Sequence, residues 1–201
     1  MKNRLSTDQV YLYPTDTVWG MGSNIFSKQG YEKINNLKGS RGSKPFSILF
    51  SSIDQIKEFF KIPLNWNLLH LAEILKMEVT LGLPKEWLKM EVPPWLIGDS
   101  PYIAFRCLDN PEIKKIIEKE GAPITTTSLN RSDEPPAKTL EEAKAFEMEY
   151  LGQVVLVNFS KENLSGNPST IIFFQNEKTF KIQRVGKNAK EIEIKLRLLS
   201  T

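Results

Sequence analysis

The segment Lys38-Gly39-Ser40-Arg41-Gly42-Ser43-Lys44-Pro45 brings three cations within seven residues, with glycines between them and no acidic side chain. Glycines let backbone N–H groups approach a bound group closely, and neighbouring cations add charge, so such a loop suits a phosphate-like anion. It matches neither GxxxxGK[ST] nor GxGxxG, and by spacing alone a solvated basic turn explains it equally well. Upstream, the apolar run Val10 to Tyr13 stops at Pro14 and is followed by the oxygen-bearing Thr15, Asp16 and Thr17, then by Gly20-Met21-Gly22. That pattern predicts a strand with polar groups at its mouth. Farther on, Arg106 lies near the end of the short apolar strand Tyr102 to Cys107. Ser128 and Asn130 open a polar turn after the β-branched strand Pro123 to Thr127.

These groups need elements to position them. Tyr31, Ile34 and Leu37 are spaced for one buried helix face, and that helix delivers the chain into the basic loop. Phe46 to Phe50 predicts a buried strand, and Ser52-Ile53-Asp54-Gln55 a capping box opening a helix that ends near Ile62-Pro63. Leu68 to Lys76 predicts a second helix and Val79 to Leu83 a strand closed by Pro84. Between Lys85 and Ser100 an irregular connection is expected, with the rings of Trp87 and Trp95 packed on the core. Pro111 to Glu120 predicts a helix with proline in its first turn and Gly121 at its end. Thr139 caps a helix from Leu140 to Glu147, and Val154 to Asn158, Ser169 to Phe174 and Phe180 to Arg184 predict strands. The tail EIEIKLRL alternates like a strand, yet Asn188 and Glu191 offer a capping pair, so a helix is expected. Strands mixed with single helices imply an α/β fold with a mixed sheet.

A chain of 201 residues, 40% hydrophobic and 25% charged, is long enough for one domain or two small ones. At this size it buries about 70% of its unfolded surface without disulfide or metal staples. The single cysteine, Cys107, excludes an internal disulfide and a cysteine zinc cage, in keeping with a reducing compartment. The single histidine, His70, lies in LLHLAEIL and is expected to pack, which leaves little for a Ser-His-Asp triad or a multi-histidine metal site. The N-terminus lacks a signal-peptide pattern and no apolar run reaches the ~18 residues of a membrane span, so a cytoplasmic location without membrane contact is expected. A net charge of +3 permits nucleic-acid contact without arguing for it.

Six stretches, in order along the chain, together resemble the YrdC-type threonylcarbamoyl-AMP synthase family. YPTDTVWGMG is similar to the family's PTDT-Y-GLG entry, LKGSRGSKPF to its basic loop, YIAFR to its V-A-V-R strand, PITTTSLN to its T-S-A-N turn, NPSTIIFF to its E-S-T strand and IQRVG to its R-P-G ending. The resemblance implies one domain over residues 1–201, built as a twisted open mixed sheet with flanking helices and a concave basic cleft. It implies an enzyme that joins L-threonine, bicarbonate and ATP, with Mg2+ accompanying the nucleotide, into threonylcarbamoyl-AMP and pyrophosphate. A downstream complex would then transfer the threonylcarbamoyl group to an adenosine of tRNA, with direct tRNA contact a further candidate. By motif position, Lys38, Arg41 and Lys44 would stabilise charge during catalysis. Thr15, Arg106, Thr126 and Ser169 would hold threonine, with Arg106 as a fork on its carboxylate. Lys38, Lys44, Ser128, Asn130 and Arg184 would hold the nucleotide, and no protein metal ligands are implied.

The sequence departs from the family pattern in places. Arg41 stands one position later than the arginine of the family's Lys-x-Arg, KMEVTLGLP replaces a proline-glycine-rich approach, Pro136 occupies a place where many members have serine, and only nine residues precede Val10. These changes touch the nucleotide side or its supports, which leaves a YrdC-like nucleotide- or RNA-binding protein without turnover as the alternative. An O-carbamoyltransferase would need a second large domain and metal-binding histidines.

Overall fold

Val10–Pro14 (β1) and Trp19–Gly22 (β2) form an antiparallel pair in which Tyr13 lies opposite Gly20. The structure is a computed structural model that describes residues 7–39, 45–157, 159 and 164–199. β2 is not evident from the sequence, because two glycines in WGMG weaken strand propensity. Packing explains them: a Cβ on Gly22 would stand 1.9 Å from the Thr125 carbonyl oxygen and 2.8 Å from the Tyr13 hydroxyl. Only glycine lets the Tyr13 phenol and the neighbouring strand close over β2.

The remaining strands are Ser47–Phe50 (β3), Val79–Pro84 (β4), Tyr102–Cys107 (β5), Ile124–Ser128 (β6), Val154–Leu156 (β7), Thr170–Phe174 (β8) and Phe180–Arg184 (β9). Among the described residues they form one sheet in the order β7-β1-β2-β6-β3-β5-β4-β8-β9. Its pairs β1/β7, β3/β5 and β4/β8 are parallel and the rest antiparallel, so the expected mixed sheet is present.

The helices are Lys28–Lys38 (α1), Ile53–Phe59 (α2), Leu68–Leu75 (α3), the single turn Pro94–Ile97 (α4), Pro111–Glu120 (α5), Leu140–Glu149 (α6) and Ala189–Arg197 (α7). Strand alternation sends Ile48, Phe50, Leu81, Phe105 and Ile172 into one core with Ile56, Leu71, Ile74 and Ile192 of α2, α3 and α7. Trp19 and Met21 join Tyr31, Ile34 and Leu37 of α1 and Ala143 of α6. On the other face α5 covers Tyr11, Tyr13, Leu49 and Ile124 through Ile113, Ile116 and Ile117. Helices thus load one face heavily, while α5 covers only part of the other.

Some local expectations need correction. α2 stops at Phe59 rather than near Pro63. Ser52 Oγ accepts from the Gln55 amide at 3.3 Å, but the Gln55 side chain turns to the Ser51 amide and hydroxyl, so the capping box is only half made. α7 forms without a side-chain cap from Asn188. Its buried residues Ala189, Ile192 and Leu196 follow helical spacing, so packing against the sheet decides the tail. β3 and β8 each begin one residue later than expected, β6 covers Ile124–Ser128, and β7 stops at Leu156. Asn158, the expected end of that strand, lies outside the described residues. Residues 85–100 contain a 3-10 turn and α4. Trp87 meets Trp66 edge-on at 5.6 Å, and Trp95 packs against two of the cores.

Candidate active site

Period-two alternation fixes what the open part of the second face presents. Ser47 pairs with Thr126, Gly20 with Ser128, and Thr80 with Ile171, so these positions share a side of the sheet. Leu49 pairs with Arg106, which points the arginine to that side as well. Over this surface lies a cavity of about 730 Å³. Its wall includes Thr15, Lys38, Arg106 and Thr126, together with Ser128, Asn130, Ser169 and Arg184. Every described residue assigned a site role from the sequence therefore reaches one cavity. Arg41 and Lys44 lie outside the described residues.

Lys38 ends α1, and Gly39 closes the helix in the left-handed conformation at φ 62°. The ammonium donates to Ser128 O at 2.9 Å, Asn130 O at 3.1 Å and Asn130 Oδ1 at 2.9 Å. Ser128 Oγ donates to Asn130 Oδ1 at 2.6 Å, while Asn130 Nδ2 donates to Arg131 O and Glu134 O. One cation thus ties α1 to the turn after β6 and fixes the shape of that turn.

Arg106 is 8% exposed. Its Nη1 donates to Thr17 Oγ1 at 3.0 Å, its Nη2 pairs with Asp16, and its Nε is buried without a hydrogen-bond partner among the described residues. Sequence proximity suggests Asp99 or Asp109 as partners. The actual partner is Asp16, carried to Arg106 by the turn between β1 and β2.

Arg184 donates from Nε to Ser169 O and from Nη2 to Ser169 Oγ, and Ser169 Oγ lies 2.8 Å from Thr80 Oγ1. Burial first, then the positive charge of Arg106, hold the Arg184 guanidinium below arginine's ordinary range. Two guanidinium groups that line one recess favour an anion between them. Lys38 and Lys138 add charge to the wall, and Asp133 opposes it.

Thr17, Thr80, Asp133 and Lys138 are among the wall residues that received no role from the sequence, and Asp16 joins the site through its pairing with Arg106. The polar run after Pro14 placed Asp16 and Thr17 at the strand mouth, and alternation in VTLGLP put Thr80 opposite the apolar face. His70 lies away from the cavity, with Nδ1 3.4 Å from Leu198 O where α3 meets α7. Among the described residues, no group of three or more His, Cys, Asp or Glu could hold a metal ion, and no helix is long and apolar enough to cross a membrane.

Comparison with known proteins gives this geometry relatives. The Sua5_yciO_yrdC family, described as Telomere recombination, matches residues 3–186. A threonylcarbamoyl-AMP synthase of Wigglesworthia glossinidia brevipalpis is 32% identical over 187 residues, covering 92% of this chain and 91% of that protein. One from Haemophilus influenzae (strain ATCC 51907 / DSM 11121 / KW20 / Rd) is 29% identical over 143 residues, covering 70% and 76%. Among solved structures, P. abyssi Sua5 complexed with L-threonine is similar with a TM-score of 0.72 at 25% identity, covering 89% of this chain. The chain spans about half the length of that protein, 51% of it being covered. With the profile running over nearly all of the sequence and the sheet in agreement, the chain belongs to the Sua5/YciO/YrdC family.

Proposed function

We propose that the protein is an L-threonylcarbamoyladenylate synthase, joining L-threonine, bicarbonate and ATP into threonylcarbamoyl-AMP and pyrophosphate. The observation that carries this reading is the convergence of Lys38, Ser128, Asn130 and Arg184 with Arg106, Thr15, Thr126 and Ser169 on one cavity. The first four suit phosphate oxygens and the second four an amino acid with a hydroxyl and a carboxylate. Curated threonylcarbamoyl-AMP synthases matching over most of their length favour turnover over a binding-only role.

The chemistry asks for alignment rather than a protein nucleophile. Bicarbonate loses hydroxide to give carbon dioxide, the neutral threonine amine bonds to its carbon as one C=O π bond opens onto oxygen, and the amine proton joins the hydroxide as water, leaving a carbamate. A carbamate oxygen then attacks the α-phosphorus of ATP, the bond from that phosphorus to the bridging oxygen breaks, and pyrophosphate leaves with the electron pair. Much of the barrier is met by positioning and by neutralising charge on the phosphates. Lys38 and Arg184 supply that charge in the described cavity, and Arg41 and Lys44 belong to the same basic loop.

The wall of cations, hydroxyls and amides fits a nucleotide that brings its own magnesium on phosphate oxygens, which would neutralise charge there. The adenylate would pass to a complex that modifies tRNA, with tRNA itself a candidate contact, in the cytoplasm.

The test supplies the protein with magnesium-ATP, L-threonine and ¹³C-bicarbonate and examines products by mass spectrometry. An adenylate carrying both the threonine mass and the heavy carbon supports the proposal. ATP bound but recovered intact would overturn it.

A further inference from the structure

Asp16 lies in the turn between β1 and β2, and its pairing with Arg106 involves side chains that are 27% and 10% exposed. Thr17 Oγ1 takes the other terminal nitrogen of the guanidinium and in turn lies 2.9 Å from Thr15 Oγ1. The turn is anchored from outside as well: Ser165 N donates to Asp16 O at 3.0 Å and Gly166 N to Thr17 O at 2.8 Å.

An arginine offers a carboxylate two planar edges, the end edge between its terminal nitrogens and the side edge formed by Nε and Nη2. Asp16 and Thr17 occupy the end edge. The side edge keeps the second Nη2 hydrogen and the buried Nε–H, which has no acceptor among the described residues. A buried donor left without an acceptor is uncommon in folded proteins and calls for an explanation.

We propose that Asp16 is a positioning residue for the amino-acid substrate: with Thr17 it fixes the end edge of Arg106, so that the Nε–Nη2 edge is presented to the substrate carboxylate. This rests on reading the cavity as an amino-acid site. Asp16 also offsets one of the two neighbouring guanidinium charges, which keeps Arg106 from turning away from Arg184. A bidentate carboxylate contact depends on the plane of the guanidinium, so a released fork binds the substrate far less well than a held one.

Isothermal titration of the full chain with L-threonine and, separately, with magnesium-ATP tests this in wild type, Asp16→Asn and Thr17→Val. Asp16→Asn keeps the shape and removes the charge. It is expected to weaken threonine binding by about tenfold or more, the size expected for a hydrogen bond to a charged group. ATP affinity should stay within about twofold, while the melting temperature should fall modestly, because Arg106 is left a nearly buried cation without its carboxylate partner. Thr17→Val is expected to act in the same direction and less strongly.

Unchanged threonine affinity in Asp16→Asn would overturn the proposal. Equal loss of both ligands would also overturn it, since that marks a structural role. Tighter threonine binding would show that Asp16 competes with the substrate for Arg106, the opposite of positioning. Absence of threonine binding in the wild type would overturn it too. Threonine binding with the predicted variant effects but without pyrophosphate release would remove the synthase reading and leave the role of Asp16 in place.

Discussion

Arg184 grips Ser169 at two points, with Nε donating to its carbonyl oxygen at 2.9 Å and Nη2 to its hydroxyl at 3.0 Å. The strap Ser165–Ser169 therefore ends on the arginine assigned to the nucleotide and begins on the turn that holds the arginine assigned to threonine. The two halves of the cavity share a mechanical link. Arg184→Ala is expected to reduce kcat/KM for ATP about 100-fold, the scale seen when a preorganised donor to developing charge is removed. Because Arg184 ends an edge strand, the unfolding free energy from urea titration should fall by less than about 1 kcal/mol. Steady-state kinetics and urea titration measure both.

Lys38 contributes charge and the shape of the Ser128–Asn130 turn together, since its ammonium donates to three acceptors there. Lys38→Met keeps much of the stem and removes both contributions. Its kcat/KM should fall about 100-fold or more while circular dichroism stays native. Full activity in this variant would show that the turn is held by other means and that charge at this point is dispensable.

Gly22→Ala tests the close approach of three strands. The added Cβ meets the backbone carbonyl oxygen of Thr125 at 1.9 Å, and a backbone atom in a central strand has little room to retreat. A loss of about 3 kcal/mol or more in urea unfolding is expected. Wild-type stability would mean that β2 and β6 separate more readily than the packing implies.

Alkaline pH should weaken the fold through three acids that folding removes wholly or partly from water, the phenols of Tyr13 and Tyr11 and the thiol of Cys107. Burial raises Tyr13 above the phenol value of 10.0. Tyr11 is raised too, by burial first and then by the Glu120 carboxylate, whose oxygen accepts its hydroxyl at 2.6 Å. Burial, with the Asp109 charge second, pushes the Cys107 thiol from 9.0 up to about 12. Each group holds its proton longer in the folded than in the unfolded chain. Its contribution is therefore complete below the unfolded value and is lost as pH rises from there through the folded value. Urea midpoints should be level in this respect below pH 9 and fall above it, and Tyr13→Phe should flatten part of the fall above pH 10.0.

Much of the frame was readable because its signals are local. Proline and glycine bracket α5, β-branched residues mark β6, and Tyr31, Ile34 and Leu37 mark α1. β2 escaped because its glycines answer to Tyr13 and Thr125, the latter about a hundred residues away in sequence. Motif resemblance led to the cavity residues individually, but not to the bonds among them. The Arg106–Asp16 pair spans 90 positions, and the Thr80–Ser169 contact spans 89. Such partners are set by the order β5-β4-β8 and by the meeting of two loops, which no window along the chain contains.

The central claim is that one cavity holds ATP and threonine together for reaction. Its most direct test is pyrophosphate release by the full chain from magnesium-ATP in bicarbonate, with and without L-threonine. Release should require threonine and stay at background without it; equal release in both, or none while ATP binds, would contradict a shared reaction cavity.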